Sequence, residues 1–219
     1  MTAILLAIHL SAFAQTDWEL PQAAAKQTPV AQEKQKEKKE KTEKGKAKEN
    51  LLAPYLAGAV PEVDGMVVFT RDIDIAGKTA QEIYDTVYRF FEEFVKEDNQ
   101  IDSRIALVDK GNHAVACRMK EWLVFSENLL SLDRTQMNYT LVAQATDGHL
   151  SLKVERISYL YGDASGKTFY TTAEEWISDR EALTKDKKKM RIGTKKFRCK
   201  TIDRVNEIFE KTTNQFDIQ

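Results

Sequence analysis

The chain predicts an α+β domain: one antiparallel sheet in the order β-α-β-β-β-β-α, covered on one face by helices. Apolar residues alternate along Met66–Ile75, Ile101–Asp109, His113–Phe125, Met137–Ala145 and Leu150–Tyr161. That period of two is the mark of strands with one buried face. After the first stretch, and again at the C-terminus, the apolar period becomes helical. Turn residues separate the last strands, so consecutive strands are expected to pair antiparallel. A sheet with one apolar face and helices with one apolar stripe bury both most economically as two layers.

Each element has its own local cause. In Met66–Ile75, residues Val67, Phe69, Ile73 and Ile75 share a face, and Arg71 falls on it too, an unusual place for a charge. Gly77-Lys78 turns the chain into a helix opened by a Thr79/Glu82 capping box, in which hydroxyl and carboxylate satisfy orphan N–H groups. Ile83, Val87, Phe90, Phe91 and Phe94 then form the helix's apolar stripe. Lys110-Gly111-Asn112 links two strands. Asp147-Gly148 links the last pair, and suits a type I′ turn with positive φ at both residues. In the last strand Leu150, Leu152 and Val154 have one parity, whereas Ile157, Tyr159 and Tyr161 have the other. A β-bulge near Glu155–Arg156 would restore the register. Beyond Gly162–Lys167 the chain reads as helical, with capping boxes at Thr172/Glu175 and Ser178/Glu181. A final helix from near Thr201 carries Ile202, Val205, Ile208, Phe209 and Phe216.

The N-terminal segment has a different character. Ala3–Ala14 is a short apolar run ending in Ala12-Phe13-Ala14, a signal-peptidase pattern, so residues 1–14 read as a signal peptide cleaved between Ala14 and Gln15. Residues 15–60 read as a disordered charged tether, too poor in apolar residues to offset the cost of ordering. Within it Glu33–Glu49 holds eight Lys and five Glu, a net +3. The folded domain is then 61–219. No later apolar run approaches the ~20 residues that a bilayer span requires. A periplasmic or secreted protein, with no transmembrane span after signal cleavage, is the expectation.

Charge and chemistry narrow the function classes. The whole chain carries −1, leaving a mildly acidic domain that has no overall field to hold nucleic acid. The chain has three histidines, His9, His113 and His149, and His9 would leave with the signal. Neither remaining histidine suggests a catalytic relay. There is no phosphate loop, H-E-x-x-H or C-x-x-C, so neither an enzyme nor a cofactor is expected. Cys117 and Cys199 either pair as a disulfide in an oxidising compartment or, for Cys117 between Val115 and Met119, leave a buried free thiol.

Two sets of residues are candidate sites. Lys185–Lys200 holds nine basic residues and one acid. Lys187, Lys188, Lys189, Arg191, Lys195 and Lys196 form either an anion-binding patch or simply a basic loop joining two helices. Phe69, Arg71, Trp122, Tyr139 and Tyr159 either line a cavity for a small amphipathic ligand between sheet and final helix, or make the core.

Several short motifs recur together: Gly77-Lys78-Thr79 with Glu82-Ile83-Tyr84, Asp147-Gly148 with Arg156-Ile157, and Ala173-Glu174-Glu175-Trp176-Ile177. Lys196-Phe197-Arg198 with Thr201-Ile202-Asp203 completes the set. On these residues the segment from Val67 to Phe216 resembles a domain-of-unknown-function family of exported proteins from Gram-negative gut bacteria, with a TBP-like fold. The resemblance implies that fold and an envelope or periplasmic setting, and it carries no established activity. Together these readings point to a non-catalytic binding or structural module that engages a protein or envelope polymer. The alternative is a carrier or sensor of a small amphipathic ligand.

Overall fold

Alternation becomes sheet from Glu62 onward. The computed structural model describes residues 51–128, 131–162 and 166–216, and the expected signal peptide and nearly all of the tether lie outside the described residues. The strands are β1 (Glu62–Val63), β2 (Met66–Asp74), β3 (Arg104–Asp109), β4 (Ala114–Asn128), β5 (Ser131–Thr146), β6 (His149–Gly162) and β7 (Thr168–Thr172). They form one antiparallel sheet in the order β1-β2-β6-β5-β4-β3, with β7 also paired to β6. Helix α1 (Ala80–Phe94) therefore carries the chain from β2, beside β6, across to β3 at the far edge. From β3 to β6 the chain is a meander, because each link is short.

The α+β, TBP-like architecture expected from the sequence is the one found, with differences at particular elements. The short strands β1 and β7 were not foreseen, and β7 occupies a stretch that reads as helical. Helices α2 (Ala173–Trp176) and α3 (Asp179–Ala182) follow it. Thr172 stands at the N-cap position of α2 without a side-chain cap, whereas Ser178 caps α3 by accepting from the Glu181 N–H. The final helix α4 (Ile192–Thr213) begins nine residues before Thr201, so half of the basic run is helix rather than loop. Its early turns are masked in sequence because Lys195, Lys196 and Lys200 interrupt the apolar stripe.

Two local expectations hold and one does not. Thr79 and Glu82 make the reciprocal capping box of α1. Arg156 takes φ +56 and the β5–β6 register slips there, the bulge that moves Ile157 and Tyr159 back to the core face. At the β5–β6 turn only Gly148 has positive φ, so the turn is not type I′. The reason is tertiary: the Asp147 carboxylate accepts the Ala80 N–H at 2.8 Å, and the Gly148 N–H donates to the Lys78 carbonyl. The hairpin tip thus serves as a second cap for α1.

Odd-numbered residues of β4 and β5 (Cys117, Met119, Leu123, Met137, Tyr139, Leu141) face α1 and α4 and are buried. Helix α1 contributes Ile83, Val87, Phe91 and Phe94, and α4 contributes Phe197, Ile202, Val205, Ile208 and Phe209. The ordered domain also starts earlier than Pro61. Arg198, fully buried on α4, donates to the carbonyls of Tyr55, Leu56 and Ile177 and to Asp179. Tyr55 donates in turn to Asp203 at 2.7 Å, and Val60 is buried. Residues 51–60, read from composition as the end of the tether, are held by this guanidinium together with the Tyr55–Asp203 bond, the Gly58 N–H donating to Asp179 and buried Val60.

Candidate functional site

The sheet divides the predicted ligand-lining residues between its two faces. Phe69, Tyr139 and Tyr159 lie buried in the core on the helix side. Arg71 is half-buried on that side, its guanidinium 5.5 Å from the Phe209 ring, which accounts for a charge on an apolar face. The Tyr159 hydroxyl bonds Thr201 at 2.8 Å, and the Tyr139 hydroxyl donates to Glu121 at 3.1 Å. Burial lifts both phenols above their ordinary pKa, so both stay protonated. Trp122, of even parity on β4, stands on the opposite face.

Sequence reasoning missed the polar centre of the helix side. Glu121 is fully buried, yet its carboxylate accepts from Tyr139, Arg204, Asn99 and Gln100. Arg204 also reaches Glu97 and Glu207, and Lys211 bridges those two acids. Every lone pair of Glu121 is thus occupied within the protein, which suits it to fixing α4 on the sheet. The only signal in sequence was parity: Glu121 falls among inward-facing Met119 and Leu123.

The basic run also disperses. Lys187, Lys188 and Lys189 are exposed on the turn before α4, and Arg191 donates to the Leu183 carbonyl. Lys195 is half-buried. Lys196 points the other way, donating to Asp133 at 2.8 Å and Tyr161 at 2.9 Å over the faces of Phe125 and Tyr161. Burial alone would lower its pKa, but those two partners raise it on balance. The six cations therefore do not converge on one point. Cys117 and Cys199 are both free: Cys117 is buried on β4 with its thiol pushed up to about 12 by burial, and Cys199 lies 3.6 Å from the Met190 sulfur. No disulfide joins them.

What the fold leaves presented is the other face of the sheet. Even-numbered residues of β4 from Ala114 to Val124 and of β5 from Leu132 to Gln144 are half-buried or exposed. Along β4 stand Arg118, Lys120 and Trp122, opposite Thr140, Asn138 and Gln136 of β5. The Arg134 guanidinium lies 3.8 Å above the Trp122 ring. Gln136 donates to Asn138 at 3.0 Å and Asn138 to Ser158 at 3.4 Å, an amide ladder across the strands. The row through Trp122 and Gln136 continues to Leu160 on β6 and Tyr170 on β7, both exposed. Among the described residues, Arg118, Lys120 and Arg134 pair with no carboxylate. None of the described residues forms a group of three or more His, Cys, Asp and Glu able to hold a metal, and no described helix is long and apolar enough to cross a membrane.

A family model for a domain of unknown function (DUF4468) with TBP-like fold matches residues 69–160. A crystal structure of a DUF4468 family protein from Bacteroides ovatus is 39% identical, covering 77% of this chain and 96% of that one, with a TM-score of 0.70. The chain belongs to the DUF4468 family. A TBP-like protein from Parabacteroides distasonis shares the fold at 19% identity and a TM-score of 0.58, covering 72% of this chain and 97% of its own. No curated protein matches. The DUF4468 match spans the sheet from β2 to β6, and so includes both the buried Glu121 centre and most of the open face.

Proposed function

We propose that this DUF4468 protein is an exported module of the cell envelope that binds a partner without catalysis, through the open face of its sheet. One observation carries the reading: Arg118, Lys120 and Arg134 stand on that face without acidic partners among the described residues, Arg134 already held flat on Trp122. Glu121, Arg198 and Lys196, by contrast, are occupied by partners within the protein. The carrier reading has less support, because Tyr139 and Tyr159 spend their hydroxyls inside a packed core. Ala12-Phe13-Ala14 supports the export part.

The test is association of the full chain, made in a Gram-negative host, with isolated envelope fragments. Arg118→Glu with Arg134→Glu should reduce the bound fraction several-fold while lowering the thermal midpoint by no more than about 4 °C. Undiminished association of that variant would overturn the reading.

A further inference from the structure

We infer that the open face takes an acidic polysaccharide, a sugar chain carrying carboxylates, laid along β4. The inference rests on the open-face reading and adds the chemistry of the ligand. Arg118 and Lys120 are two residues apart on one strand, so their side chains leave the sheet ~7 Å apart. Arg134 extends the line at the next position along β4, because it covers Trp122. The result is a row of cations along one strand rather than a single anion pocket, and a row fits a repeating charge.

The stacked guanidinium matters most. Held 3.8 Å above an indole, Arg134 has lost much of its rotamer freedom before any ligand arrives, and its planar fork suits a carboxylate. Arg104 lies opposite Arg118 on β3, with Asp102 3.7 Å away. The row is bounded on the far side by acids: Glu155 opposite Thr140, then Asp72 and Asp74 on β2. The far side thus mixes signs, since Lys153 of β6 is exposed among these acids, whereas the β4 side carries Arg118, Lys120 and Arg134 and gives an anionic chain its track.

The groups beside the cations, on β5 and β6, select the kind of anion. They are amides and hydroxyls (Gln136, Asn138, Thr140, Ser158), which match the alternating donors and acceptors of sugar hydroxyls. Exposed apolar side chains do lie on this face, Leu132 two residues from Arg134 and Leu160 and Tyr170 on β6 and β7, but none separates Arg118 from Lys120, and the vesicle arm of the test tells a bilayer from a sugar chain. Successive stacked bases would need a succession of bare rings, and with Trp122 covered by Arg134 the exposed Tyr170 of β7 does not make one.

The experiment titrates the full chain with polygalacturonate at low and moderate salt, beside neutral dextran and phosphatidylglycerol vesicles. Polygalacturonate should bind, more weakly as salt rises, and dextran should not. The triple variant Arg118→Gln, Lys120→Gln, Arg134→Gln should bind about tenfold more weakly, as three exposed charge pairs of about twofold each would give. Its thermal midpoint should fall by no more than about 4 °C, the cost of the lost Arg134–Trp122 stack. Lys187→Gln, Lys188→Gln, Lys189→Gln, on the turn before α4, should bind like the parent. The tether's lysines are present in both variants, so they cannot produce the difference. Failure of polygalacturonate to bind, equal loss in both variants, or vesicle binding through these cations in its place would each overturn the inference. If envelope association still depends on Arg118 and Arg134 in that event, the open-face reading survives and only the sugar falls.

Discussion

The two faces of this sheet are built from the same strands, one residue out of phase, and they have opposite polar economies. On the helix side a few polar groups are buried and every one around Glu121 is satisfied by a neighbour: Tyr139, Arg204, Asn99 and Gln100 converge on one carboxylate. On the open side Arg118, Lys120 and Arg134 are exposed or half-buried and pair with no acid among the described residues. Burial makes the difference. An unpaired charge under α4 would cost several kcal/mol, roughly, whereas the same charge facing water costs almost nothing and is left for a partner. The helix side therefore fixes the fold, and the open side is where a ligand can gain from what folding left unused.

The largest expected effect breaks the helix side. Glu121→Ala should destabilise the domain by about 3–5 kcal/mol in denaturant melts, since it strands the Arg204 charge in a buried site. Glu121→Met with Arg204→Met should recover only part of that loss, because the unpaired charge is gone but Tyr139, Asn99 and Gln100 still lack their acceptor. A double variant as unstable as the single one would mean that the pair is needed for more than mutual neutralisation. Next comes the clamp on the N-terminal edge. Arg198→Met should cost about 2–3 kcal/mol by leaving the carbonyls of Tyr55, Leu56 and Ile177 without their donor. Hydrogen exchange should then show residues 51–60 opening before the sheet. Uniform protection in that variant would show that Val60 and the bonds to Asp203 and Asp179 hold the segment without Arg198.

The smallest effect lies on the open side, where His149 sits between Asp74 at 3.1 Å and Asp72 at 3.4 Å. The Asp74 hydrogen bond, helped by Asp72 against slight desolvation, raises its pKa above the usual 6.5. A group whose folded pKa is raised stabilises fully below its unfolded pKa and loses that contribution as pH rises through the folded one. The gap in thermal midpoint between the parent and His149→Gln should thus be greatest near pH 6 and closed well above neutrality. A gap that grew with pH would contradict the bridged arrangement.

Local rules wrote most of the fold into the sequence. Period-two alternation located β2 to β6, the Thr79/Glu82 box set the start of α1, and the parity change at Glu155–Arg156 announced the bulge. These signals survive because they depend on neighbours within a few residues. The candidate site was less legible. Trp122 was read as facing inward, although its parity matches Arg118 and Lys120 and not Met119 and Leu123, and the stack with Arg134 joins residues on different strands. Only pairing β4 with β5 brings them together.

The sequence by itself determined strands β2 to β6, the first helix and the antiparallel meander, because hydrophobic period and turn chemistry are short-range; the TBP-like class came from the motifs that resemble the family. Tertiary structure alone decided that α4 starts at Ile192, that Asp147 caps α1, and that Arg198 holds residues 51–60. It also decided that Glu121 can be buried and that the cations of β4 and β5 share an open face. Each of these depends on partners far apart in the chain, whose energies exist only once the sheet and helices have met, and no local pattern records them.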